Sequence, residues 1–115
     1  MIKLLASDID ETLVDAQKNV PQRNIDAIKK AKDMGVIVTL ASGRGTYELF
    51  DIPDQAGVVD EDRFVISCNG AIIMNIFTKE IVYSQSLKYD YAKAILAYAY
   101  KNEQTCYIYT LYNKY

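Results

Sequence analysis

Apolar and polar positions fall in alternating blocks along this chain. Ile2 to Ser7 is a mostly apolar run that stops at Asp8. With neither face polar, it predicts a strand buried on both sides of a parallel sheet. Pro21 is followed by Ile25, Ile28, Ala31 and Met34, the spacing of one helix face, with Pro in the first turn and Gly35 as the stop. Val20, before that Pro, is a poor N-cap. Val36 to Leu40 is β-branched and apolar and predicts a second buried strand. Ser42 to Phe50 predicts a Gly-containing turn into a short helix, which Pro53 and Gly57 should break. Phe64 to Cys68 predicts a third strand. Strand, helix, strand, helix, strand in that order implies an α/β fold: a parallel sheet with right-handed crossover helices.

The pattern then changes. Ala71 to Ile76 and Glu80 to Ser84 predict a hairpin around Thr78-Lys79. Asp90 is placed to cap a helix whose apolar face is Tyr91, Ala94, Ile95, Tyr98 and Ala99. Thr105 to Tyr112 alternates like a strand. Nine of the ten tyrosines lie from Tyr83 onward, so a compositional boundary falls near residues 76–86. Amphipathic rings on the partly wet surfaces of a small sheet explain this crowding, with a ligand-binding aromatic face as the sharper alternative. No stop signal follows the last strand, which would present an apolar edge.

Composition narrows the chemistry. A chain of 115 residues is one domain at most by length, large enough for a real core. Lys plus Arg is 13 against 15 for Asp plus Glu, so the net charge of −2 offers no reason to bind nucleic acid or an anionic membrane. There is no His, which excludes histidine-based catalysis and imidazole-dependent zinc sites. Cys68 and Cys106 sit in apolar runs and are expected as buried reduced thiols. No apolar leader precedes Asp8, and no run reaches the roughly 18 apolar residues of a membrane span. A cytoplasmic location is expected.

In an open parallel sheet, ligands bind beyond the carboxyl ends of the strands. Each predicted core strand ends there in a polar cluster: Asp8 to Thr12, Ser42-Gly43-Arg44, and Asn69-Gly70. Asp60, Glu61 and Asp62 precede the third strand, fall at the opposite pole, and are expected as a solvated loop. Asp8 and Asp10 should repel: at about 5 Å and an effective dielectric near 20 the cost is roughly 3 kcal/mol. A proton or a bound cation relieves it, and hard oxygen ligands suit Mg²⁺. A carboxylate can also attack phosphorus while a second delivers a proton to the leaving oxygen. The plainer reading is that both aspartates cap the turn. Ser42, Gly43 and successive amides at a helix entrance make an anion site, where Arg44 could add charge-assisted bonds. Ser42 as a helix cap, and Asn69-Gly70 as a tight turn, are the plain alternatives.

These residues together resemble a known family. Asp8-Ile9-Asp10-Glu11-Thr12 resembles the first motif of the haloacid dehalogenase superfamily of phosphatases, Asp-x-Asp-x-Thr. Thr39 to Arg44 is similar to its second motif, with Ser42 at the hydroxyl position, and Asn69-Gly70-Ala71 resembles a stretch of the Cof-type branch. The resemblance implies a parallel Rossmann-like sheet, an incomplete core over residues 1–78, and the start of an α/β cap over residues 79–115. It implies Mg²⁺-dependent hydrolysis of a sugar phosphate or similar small phosphomonoester. Asp8 would be nucleophile and Asp10 general acid and base, both at the metal, with Asp10 helping through its main-chain carbonyl. Thr12 would support the turn and belong, with Ser42, Gly43 and Arg44, to the phosphate-binding set; Asn69 would reach substrate.

Family members are longer. Their later portion supplies a Lys and an acidic pair that Lys79, Lys88, Lys93, Lys101 and Lys114 do not replace, being in the hairpin or cap region. The chain is therefore expected to be an amino-terminal piece, with strand one at an edge of a partly uncovered sheet, and self-association through exposed sheet edges is expected. A non-catalytic anion-binding or assembly module is the alternative. A receiver-type signalling domain needs an Asp ending its third strand, where this chain has Cys68-Asn69.

Overall fold

The structure, a computed structural model, describes residues 2–59 and 63–110. The acidic cluster 60–62 and the last residues of the predicted final strand lie outside them. The described elements are β1 (Leu4–Asp8), α1 (Gln22–Asp33), β2 (Ile37–Ala41), a 3₁₀ turn (Thr46–Leu49), α2 (Asp51–Ala56), β3 (Phe64–Ser67), β4 (Ile72–Asn75), β5 (Ile81–Ser84) and α3 (Tyr89–Lys101).

The five strands form one sheet in the order β1-β2-β3-β4-β5. β1 pairs β2 in parallel, from Leu4 opposite Ile37 to Asp8 opposite Ala41, and β2 pairs β3 in parallel. The predicted hairpin adds two antiparallel strands to this same sheet, which is therefore mixed. Leu40, Val65 and Met74 are lateral neighbours on one face. They join a buried cluster with Ile9, Leu13 and Val14 of the loop after β1, Ile28 of α1, and Ile52 and Ala56 of α2. Each such aliphatic side chain stabilises the fold by about 1.5–3 kcal/mol relative to leaving it in water.

β1 departs from the expectation of burial on both sides. It is an edge strand, and Leu4 and Leu5 are 58% and 43% exposed, with Ile37 of β2 also open beside Leu4. Leu4 and Leu5 point to opposite faces, so this edge is open on both, and its apolar run shows what the strand would bury. α1 follows its prediction, with Pro21 as N-cap and the chain leaving it through Gly35 at φ 79°. Met34 is the exception: it sits at the C-cap and is exposed. Pro53 does not break α2, because it occupies the first turn, where no intrahelical N–H bond is needed; the helix stops at left-handed Gly57. Asp90 is not the cap of α3, which Lys88 precedes without a side-chain bond. Asp90 lies in the first turn, where a carboxylate suits the helix dipole. Of the predicted face of α3 only Ala99 is buried. From residue 105 to 110 the chain makes a single bridge at Tyr109 in place of a strand. Both cysteines are free and half-buried rather than buried, since Cys68 falls in the turn after β3. Among the described residues no helix is long and apolar enough to cross a membrane.

Candidate functional site

Three loops meet at the carboxyl ends of β1, β2 and β3. Hydrogen bonds beyond the strands fix their spacing. The Ser42 amide donates to the Ile66 carbonyl at 2.9 Å, extending the ladder one step past β2. The Asn69 amide donates to the Ser42 carbonyl at 3.2 Å, and the Cys68 amide to the Arg44 carbonyl at 2.9 Å. The second and third loops are thus laced together. Below them Thr46 and Ser67 share a buried hydroxyl–hydroxyl bond of 2.8 Å, which ties the 3₁₀ turn to the end of β3.

Gly43 is required by a close approach. A Cβ there would lie 2.9 Å from Asn69 Oδ1. Opposite it, Cys68, Asn69 and Gly70 are left-handed in succession, with φ of 50°, 54° and 91°. For the two residues with side chains this conformation costs roughly 1–2 kcal/mol each, strain of a kind found at ligand-facing turns.

The first loop is anchored by Ile9, whose side chain is fully buried and whose carbonyl accepts bonds from the amides of Leu13 and Val14 at 2.9 and 3.1 Å. Asp8 and Asp10 flank this anchor. Thr12 Oγ1 donates to Asp8 Oδ2 over 3.4 Å, a long bond.

A cleft of about 370 Å³ opens at the rim, lined by Asp8, Ala41, Ser42, Gly43, Ile66, Asn69 and Gly70. Four predicted site residues, Asp8, Ser42, Gly43 and Asn69, therefore share one cleft. Asp10, Thr12 and Arg44 stand outside its lining. Arg44 turns to Asp10: Nε donates to Oδ2 at 2.9 Å and Nη2 donates to Oδ1. This guanidinium gives Asp10 a cationic partner and also feels the charge of Asp8. Its hydrogen bonds hold the Asp10 carboxyl below the usual carboxylate range against the opposing effect of burial, with the Arg44 charge and then that of Lys18 adding to the lowering. Arg44 is raised in turn, chiefly by the same bonds.

Among the described residues no three acidic or sulfur side chains gather as a metal cage. The donors present are the Asp8 carboxylate and main-chain oxygens. These are hard oxygen ligands, of the kind Mg²⁺ uses when water and a phosphate complete its shell. Sequence reading missed the Thr46–Ser67 bond, the left-handed Cys68 and the Arg44–Asp10 pair. Only the Asn69-Gly70 dipeptide carried a local signal for any of these.

Comparison with known proteins agrees with this geometry. Residues 5–115 match the family described as haloacid dehalogenase-like hydrolase. YxeH of Bacillus subtilis is 37% identical over 90 residues, 78% of this chain and 33% of that protein. The 5-amino-6-(5-phospho-D-ribitylamino)uracil phosphatase YwtE of the same organism is 35% identical over 72 residues, 63% of this chain and 23% of that one. A solved sugar phosphatase of haloacid dehalogenase subclass IIB superposes with a TM-score of 0.77 at 26% identity, covering 97% of this chain and 42% of its own. The chain belongs to the haloacid dehalogenase-like hydrolase family, in its Cof-type branch. It spans about a third or less of the length of the curated relatives it matches.

Proposed function

We propose that this chain carries the phosphoryl-accepting half of a Mg²⁺-dependent phosphomonoesterase acting on a sugar phosphate or similar small substrate. The observation that carries the reading is the convergence of Asp8, Ser42, Gly43 and Asn69 on one cleft at the strand ends. A hydroxyl and amides facing a carboxylate suit a phosphoryl group bound next to its acceptor. Asp8 attacks phosphorus as the ester P–O bond breaks, giving an aspartyl phosphate, while Asp10, once protonated and released from the Arg44 fork, passes its proton to the leaving oxygen. Asp10 then takes a proton from water, which attacks phosphorus and releases inorganic phosphate and the Asp8 carboxylate. Ser42 and the Gly43 amide hold the phosphoryl oxygens, Thr12 steadies Asp8, Arg44 pairs with Asp10 beside the cleft, and Asn69 faces the substrate. Mg²⁺, held by the Asp8 carboxylate and the Asp10 main-chain carbonyl, would neutralise phosphoryl charge. The sugar phosphate class is supported by the solved sugar phosphatase, and a cytoplasmic location by two free thiols.

The test is hydrolysis of a chromogenic phosphomonoester with Mg²⁺ by the wild type and by Asp8→Asn. Turnover that Asp8→Asn loses supports the reading, and equal turnover by both removes Asp8 as nucleophile. Phosphate binding without turnover in the wild type would instead favour the anion-binding module.

Two further parts belong to this proposal. Residues 1–78 form the core and residues 79–115 begin a cap. In support, the radius of gyration is 16.4 Å, against about 13 Å for a compact domain of this length, and the molecule measures 52 × 30 × 25 Å. A second copy of the chain pairs along β1, an open edge with exposed Leu4 and Leu5. Sedimentation should show a concentration-dependent dimer that Leu4→Lys abolishes; a monomer at all concentrations overturns the pairing.

A further inference from the structure

Arg44 is held on three sides. Its amide donates to Ser42 Oγ at 3.2 Å, its carbonyl accepts from the Cys68 amide at 2.9 Å, and its guanidinium forks onto Asp10. One residue therefore joins all three rim loops. Its side chain is 19% exposed, against 50% for that of Asp10, so the fork is the better-shielded half of the pair. Neither residue lines the cleft that Asp8, Ser42, Gly43 and Asn69 share.

We infer that Arg44 is a positioning residue that acts on Asp10 rather than a direct phosphate ligand. It holds the Asp10 carboxylate at the margin of the cleft, so that Asp8 alone presents a carboxylate to an incoming phosphoryl anion. The geometry supports this in two ways. A planar fork onto both carboxylate oxygens commits two of the five guanidinium N–H donors and fixes the plane of the group on Asp10, while Arg44 does not line the cleft. Neutralising Asp10 also removes the negative charge that would otherwise repel an anion beside Ser42 and Gly43. The inference rests on the anion-binding reading of the cleft, and its test separates the two.

The experiment uses the full chain, wild type and the variants Arg44→Gln, Asp10→Asn and the double variant, with inorganic phosphate as probe. First, NMR reads the Arg44 Nε–H without ligand. A distinct, slowly exchanging signal in the wild type that Asp10→Asn abolishes is expected, and its absence from the wild type overturns the inference whether or not phosphate binds. Second, phosphate affinity is measured by titration. Arg44→Gln should weaken it about 10-fold by exposing an unpaired carboxylate. The double variant should return to within about 2-fold of wild type, because the repelling charge is gone. A double variant as weak as Arg44→Gln makes Arg44 a direct ligand and overturns the inference. An intact Nε–H signal in a wild type that binds no phosphate upholds Arg44 as the holder of Asp10 and removes the anion reading instead.

Discussion

Gly43 and Asn69 face each other across the cleft so closely that a methyl group on Gly43 would meet the Asn69 amide oxygen at 2.9 Å. The obstructing atom is the end of a side chain, so the conflict is relieved by turning Asn69 away. Gly43→Ala should therefore destabilise the fold by only about 1 kcal/mol, the low end for overpacking, while weakening phosphate binding much more. Urea unfolding and phosphate titration on the same variant check this pairing of effects. A large loss of stability would mean that the loops themselves had been forced apart.

Gly70 isolates a different cost. It has φ of 91°, and nothing lies within 4 Å of a Cβ built there. Gly70→Ala therefore meets no steric obstacle and should lose about 1–2 kcal/mol through backbone conformation alone. Thermal unfolding should register this loss, and an unchanged Tm would show that the turn relaxes freely.

The Thr46–Ser67 bond predicts an asymmetry. Thr46→Val leaves the Ser67 hydroxyl buried without that partner and should cost about 1–3 kcal/mol. Replacing both, Thr46→Val with Ser67→Ala, should recover most of the loss, because no polar group is then stranded. A double-mutant cycle in urea measures the coupling, and additive effects would show that the hydroxyls act separately.

Asp10 predicts a pH dependence of stability. Its carboxyl is held below the ordinary range in the folded chain, mainly by the Arg44 hydrogen bonds. A lowered folded-state pKa contributes stability that is present above the unfolded value. That contribution is lost as pH falls through the folded one. The wild type should exceed Asp10→Asn by about 0.5 kcal/mol near pH 7, a modest figure because the pair is partly exposed. The difference should fade as pH drops below about 4 and shrink with added salt. Unfolding curves of both proteins from pH 7 to 3 decide the matter.

The parallel half of the sheet was legible because its strands are short continuous apolar runs closed by polar clusters. Those clusters had to land on one rim once the strands were parallel. Asp8, Ser42, Gly43 and Asn69 were legible as neighbours for the same reason. The Arg44–Asp10 fork was not, since 34 residues separate the partners and their meeting depends on the loop paths. The openness of Leu4, Leu5 and Ile37 was legible only through the expectation that strand one lies at an edge, because apolarity alone reports what a strand tends to bury and not what lies against it. The face of α3 failed on the same ground. Met34 failed on a smaller one: the helical spacing ran one residue past the place where Gly35 turns the chain away.

The left-handed turn at Cys68–Gly70 reverses the chain within three residues, after the Asn69 amide has already bonded to Ser42. The hairpin that starts beyond Ala71 returns beside the same turn, where Gln85, Ser86 and Leu87 share a hollow with Asn69 and Gly70. A change in the length of that hairpin would therefore be felt at the margin of the rim, whereas the bond that fixes Asn69 to Ser42 precedes it in the chain.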